Sequence, residues 1–451
     1  MSKINYFQQN TDAAPLAVFR IFFGLMMCLS IIRFWGYGWI DKLYIQPKFF
    51  FSYYGFEWVK PLGAYTYLIF LICAISTLCI MLGFKYKLAI LTFFLSFTYI
   101  ELMDKTTYLN HYYFISILSF LLIFLPAGKY FSIDAFRSGY QYKTVPKWCI
   151  DVIKILLTIV YFYAGLAKLN SDWLLKAMPL KIWLPSKYNI PLIGDLLQQE
   201  WVHYAFSYTG AIYDLCIPFL LWYRKTRKIA FLLVVIFHVL TRVLFPIGMF
   251  PYIMIVSALI FFDANIHNSI LKRISKLFRF SFDKIKTKER FNFSSSIQKI
   301  ITLIISCFLL VQLVLPFRYL GYPGELFWTE EGYRFSWRVM LMEKAGYANF
   351  KIVDNVTGKS FYVNNSDFLT SFQEKQMATQ SDFIVEYAHY LKDHFESQSY
   401  TDISVYVESY VALNGRLSAP YIDPKVDLGK IEESFKHKNW IIPFKDEIKG
   451  L

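Results

Sequence analysis

CIDVIKILLTIVYFYAGLAKLNSDW, residues 149–173, is an apolar run that ends on a lysine. As helix, residues 149–167 cross most of a bilayer, whose hydrocarbon needs about 20 predominantly apolar residues. Lys168 then stands at the edge of the hydrocarbon. A charged amine is costly there, so burial favours its neutral form. A neutral amine in such a place is a base, a nucleophile or a proton relay. A lysine at a helix end also reaches back to the headgroups with its charge in water. The string alone leaves both readings open.

The same kind of run recurs along the chain. Of its 451 residues 56% are hydrophobic and only 18% charged, which excludes an ordinary soluble domain. Apolar segments at 13–36, 63–84, 88–103, 112–127, 148–168, 205–222, 229–246, 249–263 and 299–317 predict about nine spans, with Pro246, Gly248 and Pro251 interrupting the pair at 229–263. No small-residue cleavage pattern follows the first run, which reads as a retained helix and not a signal peptide. The expected fold is a polytopic α-helical membrane bundle followed by an exported, strand-rich α+β domain. The expected boundaries are 1–317 for the membrane catalytic domain and 318–451 for the exported one.

The formal charge of +14 might suggest nucleic acid, but its placement argues for orientation instead. Lys85 and Lys87 follow the second span. Lys129, Arg137, Lys143 and Lys147 follow the fourth, and Arg224, Lys225, Arg227 and Lys228 the sixth. Lys272, Arg273, Lys276, Arg279, Lys284, Lys286, Lys288 and Arg290 lie between the eighth and ninth. If nine spans alternate, all these loops share one side, which the positive-inside rule makes cytoplasmic. Loops 37–62, 104–111 and 169–204 and the tail then face outward, in a multi-pass cell (inner) membrane with the C-terminal domain periplasmic. A lipid bilayer is an expected partner and nucleic acid is not.

Six cysteines, Cys28, Cys73, Cys79, Cys149, Cys216 and Cys307, all fall in apolar spans, and no CxxC or Cys/His spacing suggests zinc or another metal. In the tail, strands are expected at 338–342, 349–353, 360–363 and Ile403–Leu413, with a hairpin connection at 354–358 and a helix at 382–395. The basic stretch 264–298 reads as the nearest thing to a linker.

Four further strings carry chemistry. DKTTYLNHYYF, residues 104–114, puts Asp104, Lys105, Asn110 and His111 within reach of one another, or is an ordinary helix-end loop. FHVLTRVLFPIGMFPY, residues 237–252, holds His238 inside a span, where a titratable residue is a functional candidate. Arg20, in PLAVFRIFFG, is a similar case or pairs with a carboxylate or carbonyls of a neighbouring helix. WTEEGYRFSW, residues 328–337, opens the exported domain with aromatic and polar residues together, as an interfacial belt does.

Taken together, PLAVFRIFFGLMM (15–27), MDKTTYLNH (103–111), IVYFYAGLAKLNSDW (159–173), FHVLTRVLFPIGMF (237–250), WTEEGYRFSW (328–337) and YIDPKVDL (421–428) resemble, in order, the vitamin K-dependent gamma-glutamyl carboxylase family. The resemblance implies an enzyme that oxygenates reduced vitamin K to its epoxide. The strong base so produced takes a γ-proton from a peptide glutamate, and the carbanion adds CO2. In a bacterium menaquinol is the alternative to reduced vitamin K as the quinol. The co-substrates are then the quinol, O2 and CO2, and the partner is a glutamate-containing peptide or protein.

By that resemblance Lys168 deprotonates the quinol, while His111 and Asn110 hold its oxygen or a developing oxyanion. Trp328, Tyr333, Ser336 and Trp337 match the glutamate-facing side, and His238 lies near the pocket. Two departures stand out: Ala167 replaces the first of two adjacent lysines of the animal enzymes, and the tail has no cysteine for their link between membrane and lumenal parts. A quinol oxygenase without carboxylation and a non-enzymatic quinone-binding protein are the alternatives. A transporter is disfavoured because no paired repeat with broken helices appears.

Overall fold

A computed structural model describes residues 6–279, 285–398 and 400–450; of the basic residues named above, Lys284 lies outside them. Among the helices of the described residues, ten build the bundle: α1 (Ala14–Gly36), α2 (Thr66–Leu82), α3 (Tyr86–Leu102), α4 (Asn110–Phe124), α5 (Trp148–Leu166), α6 (Glu200–Trp222), α7 (Arg227–Leu244), α8 (Phe250–Ala258), α9 (Ala264–Phe278) and α10 (Ser295–Val314). Helix thus forms in all nine apolar segments. Five of these helices are long and apolar enough to cross a membrane, and the bent pair formed by α8 and α9 makes at most a sixth; nine crossings are not confirmed.

Packing explains which faces are apolar. The bundle core runs through Phe23, Met27, Phe93, Phe114, Leu118, Leu122, Ile153 and Leu157. Large apolar side chains also point outward, among them Leu68 and Ile75 of α2, Leu88 and Leu95 of α3 and Leu303 of α10. Such an apolar exterior around an apolar interior suits lipid as solvent. Gly24 lets α1 and α2 close in: a Cβ there would lie 2.5 Å from the Met81 backbone nitrogen. Arg20, fully buried one turn earlier, donates to the carbonyls of Ile80 (2.8 Å), Met81 (2.7 Å) and Phe131 (2.6 Å). It therefore satisfies the free carbonyls at the end of α2, which is a structural role.

The stretch 264–298 corrects the linker expectation. After α8 and a short turn the chain bends by 119° into α9, whose Leu271 and His267 bury against the bundle while Lys272, Arg273 and Lys276 stay exposed. Apolar residues at helical spacing on a basic helix give it one face to bury and one to solvate. Beyond the turn, a small sheet joins β1 (Asn10–Asp12), β2 (Tyr140–Pro146) and β3 (Lys286–Arg290), with β1–β2 antiparallel and β2–β3 parallel. That sheet brings Lys143 of β2 together with Lys286, Lys288 and Arg290 of β3 on one face of the bundle. The opposite face meets the C-terminal domain. By the charge bias we expect a reporter inserted after Phe278 to label as cytoplasmic and one fused to the C-terminus as external; reversed labelling would overturn that orientation.

The C-terminal domain is an antiparallel sheet in the order β5-β4-β6-β7, made by β4 (Lys344–Asp354), β5 (Ser360–Tyr362), β6 (Ile403–Leu413) and β7 (Ala419–Pro420). Helices α11 (Ser371–Met377) and α12 (Ser381–Glu396) accompany it. On β6, Ile403, Val405, Val407, Val411 and Leu413 bury on one face, and Phe383, Tyr387 and Leu391 of α12 complete the core. Thr370 and Gln373 form a capping box that starts α11.

One expected strand is absent. Residues 338–342 are irregular, because Trp337 (φ 61°) and Met340 (φ 54°) take left-handed backbone conformations that break an extended run. Val339 and Met340 instead reach into the bundle.

Candidate active site

Gly165 decides where the site forms. A Cβ at that position would lie 2.7 Å from the Leu215 backbone nitrogen and 3.0 Å from the Asp214 carbonyl carbon, so only glycine lets α5 and α6 approach this closely. One turn on, Lys168 Nζ meets Asp214 Oδ2 of α6 at 2.8 Å and donates to the Ala164 carbonyl at 3.0 Å. Both residues are buried, at 6% and 5% exposure. This rules out the snorkelling lysine: the amine points inward to a carboxylate. Asp214 is the residue the sequence reading missed, although a carboxylate inside an apolar helix was itself the signal.

The pair opens into a cavity of about 100 Å3, walled by Tyr161, Trp173, Trp183, Phe237, Phe245, Phe250 and Met254, with His238 and Thr241 as its other polar groups. Met340 and Val339 of the irregular segment close it. His238 shares a hydrogen bond with the Tyr161 hydroxyl through Nε2 at 2.9 Å, and its buried Nδ1 has no partner among the described residues. Trp173 lays its ring 5.4 Å from Lys168 Nζ. Among the described residues no cluster of histidine, cysteine or acid side chains could hold a metal ion.

The other expected residues fall into three places. His111 is buried at the start of α4; the Phe250 ring lies 5.9 Å from it and 5.7 Å from His238, so one aromatic side chain bridges the two histidines. Asn110 turns to the 333–340 segment: its amide donates to the Arg338 carbonyl at 3.3 Å and its oxygen accepts from Tyr108 at 3.0 Å. Asp104 and Lys105 do not join them. Asp104, pushed up to about 6 by burial, binds Thr106 and Gln373. Lys105 sits among Asp382 (3.0 Å), Glu386 (3.2 Å) and Glu433 (3.8 Å). Burial works against the ammonium, but Asp382 and Glu386 outweigh it and hold Lys105 above its usual value. Burial alone would raise Asp382; Arg334 and Lys105 hold it far below the carboxylate range instead. The DKTTYLNH string therefore serves two ends, fastening the C-terminal domain and starting α4.

Of the aromatic string, Trp337 is fully buried in the bundle core, 5.1 Å from Tyr113 and 6.5 Å from Phe114. Trp328 packs in the C-terminal core on Phe444 and Tyr421 and donates to the Ile442 carbonyl. Tyr333 packs on Phe327, and Ser336 donates to the Tyr333 carbonyl. None of these four lines the Lys168 cavity. Trp337→Ala is expected to destabilise the protein by about 3–5 kcal/mol, seen as a lowered Tm in detergent; an unchanged Tm would contradict the packing role.

The C-terminal domain also holds the loop after Lys168. Asn170 bridges Gly450, and Arg416 grips Asp172 with two nitrogens at 2.7 Å each, while Asn414 adds a bond at 2.8 Å. The domain thus fixes the loop beside the lysine.

Two family comparisons accord with this architecture. Residues 8–265, more than half of the chain, match the HTTM domain, and residues 297–447 match the vitamin K-dependent gamma-carboxylase lumenal domain. The chain belongs to the vitamin K-dependent gamma-glutamyl carboxylase family. No solved structure matches it. The lumenal-domain match begins inside α10, so it takes in the last helix of the bundle as well as the C-terminal domain. Membership gives the chain a carboxylase-like function, with vitamin K as the co-substrate that the family implies.

Proposed function

We propose that the chain oxygenates a membrane quinol, reduced vitamin K or menaquinol, to its epoxide and couples this to carboxylation of peptide glutamate by CO2. The reaction would take place at a cell membrane with the C-terminal domain outside. The observation that carries this reading is the buried Lys168–Asp214 pair, 2.8 Å apart, in an aromatic cavity between helices of the bundle.

The residues present fit a quinol. The walls are apolar and aromatic, as quinone rings require, and the orphaned Nδ1 of His238 offers a place for one ring hydroxyl. At about 100 Å3 the space admits a fused ring only when Met254 and Met340, its flexible walls, shift. When bound, the quinol supplies electrons to O2 and the strong base that removal of a glutamate γ-proton demands.

The chain's own part is proton handling and exclusion of water. This role requires the pair to share one proton, with Lys168 Nζ as the amine and Asp214 as the acid. The amine then accepts a second proton from a hydroxyl placed against it, and the resulting ammonium stabilises the anion left behind. His238, steadied by Tyr161, orients the ring from the other wall. His111 stands behind Phe250, and Asn110 faces the 333–340 segment, where a glutamate would arrive. The test is to supply purified protein with reduced vitamin K or menaquinol under O2 and analyse the quinone products. Epoxide formed in proportion to enzyme supports the reading; quinol left unchanged contradicts it.

A further inference from the structure

A cavity of about 970 Å3 lies away from Lys168, between the loops at one end of the bundle and the C-terminal domain. Its size is that of a site for a ligand much larger than a quinone head. Its charges do not cancel. Glu330 is matched by Lys344 (2.8 Å), Glu331 by Lys438 (3.9 Å), Asp382 by Arg334 (2.7 Å) and Glu433 by Lys105 (3.8 Å). Lys430 at the rim pairs with Asp427 at 3.1 Å. Glu432 alone among these acids is exposed and unmatched. On the positive side, Arg318 and Lys436 line the same cavity and have no carboxylate partner among the described residues.

Arg318 is the better placed of the two. Of its guanidinium, Nη2 donates to the Arg334 carbonyl, and the rest of the fork has no hydrogen-bond acceptor among the described residues. The group lies 5.8 Å from the centre of the Phe335 ring. That ring packs on Tyr108 (5.0 Å) and Tyr113 (4.9 Å), and Tyr108 donates to Asn110. One aromatic layer therefore separates Arg318 from the start of α4, where Asn110 and His111 sit. An unpaired guanidinium is the group best shaped to take a carboxylate with two parallel bonds.

We propose that this cleft binds an extended peptide segment carrying glutamates, with Arg318 holding one side-chain carboxylate and Lys436 steering the segment at the rim. It rests on the proposed carboxylase reading and adds where the peptide is held and by which residue. Phe335 then separates the held segment from the start of α4, and the glutamate that reacts passes beside it.

The test measures binding without turnover. Full-length protein in detergent is titrated into a fluorescein-labelled octapeptide with two adjacent glutamates, and into the same peptide with glutamines, in the absence of quinol. The glutamate peptide is expected to bind at least tenfold tighter. Arg318→Gln should weaken it by roughly 10- to 100-fold and erase the difference between the peptides. Arg318→Lys keeps the charge without the fork and should retain part of the preference. Lys436→Gln, on an exposed side chain whose loss leaves the core intact, should cost a few-fold and serves where Arg318→Gln fails to fold. Equal binding of both peptides by the wild type, unchanged binding in Arg318→Gln, or unchanged binding in both Arg318→Lys and Lys436→Gln overturns the proposal. Selective binding without carboxylation would count against the proposed reaction and leave the cleft standing.

Discussion

Lys168→Ala is expected to remove epoxide formation and peptide carboxylation together at neutral pH, by about 10²- to 10⁴-fold, the usual worth of a positioned base. Both products depend on the same deprotonated quinol, so neither survives alone. Lys168→Arg should be as poor, since guanidinium stays protonated and cannot accept the proton. Raising the pH should partly restore the alanine variant, as water or hydroxide takes over, and should help arginine less. Removing the lysine also leaves Asp214 buried without its partner, so retained quinol binding is the control for folding. Near-normal activity at neutral pH would return Lys168 to a structural part. An alanine variant that binds quinol yet stays inactive at every pH would show that the lysine does more than remove a proton.

Asp214→Asn is the second large effect. Asparagine keeps the shape of the side chain but cannot store a proton, so the rate of epoxide formation should fall by about 10²-fold while the KM for quinol changes little. If the two residues act as one unit, Lys168→Ala combined with Asp214→Asn should be no worse than Lys168→Ala alone. Additive losses would mean that Asp214 contributes independently of the lysine. Asp214→Ala is less informative, because it strands the amine in an apolar wall and costs about 3–5 kcal/mol of stability.

Why Asp214 escaped the sequence reading is physical. It lies 46 positions from Lys168, on a different helix, and nothing in the apolar pattern says which helices touch. The contact depends on Gly165, whose missing side chain lets α6 close in, and a single glycine in an apolar run does not announce its neighbour. The motif around Lys168 was legible because an amine at a hydrocarbon edge is costly whatever surrounds it. β6 was legible to the residue because its alternation of buried and exposed positions is nearly regular over Ile403–Leu413.

The strand expected at 338–342 does not form, since left-handed backbone at Trp337 and Met340 turns that segment into the bundle. The sheet of β1, β2 and β3 had no hydrophobic signature at all. β3 is exposed throughout and joined by its backbone to strands far away in sequence. Charge counting grouped these loops on one side without showing that they pair. Asp104 and Lys105 were read with Asn110 and His111 because they are close in sequence, but partners in the C-terminal domain draw the first two away.

The most direct test of coupled oxygenation and carboxylation follows label from CO2. Purified protein is given reduced quinol, O2, labelled CO2 and a glutamate peptide, with a glutamine peptide in parallel. The account predicts label in the glutamate peptide alone, dependent on quinol and O2 and accompanied by epoxide. Epoxide without label in the peptide would contradict it.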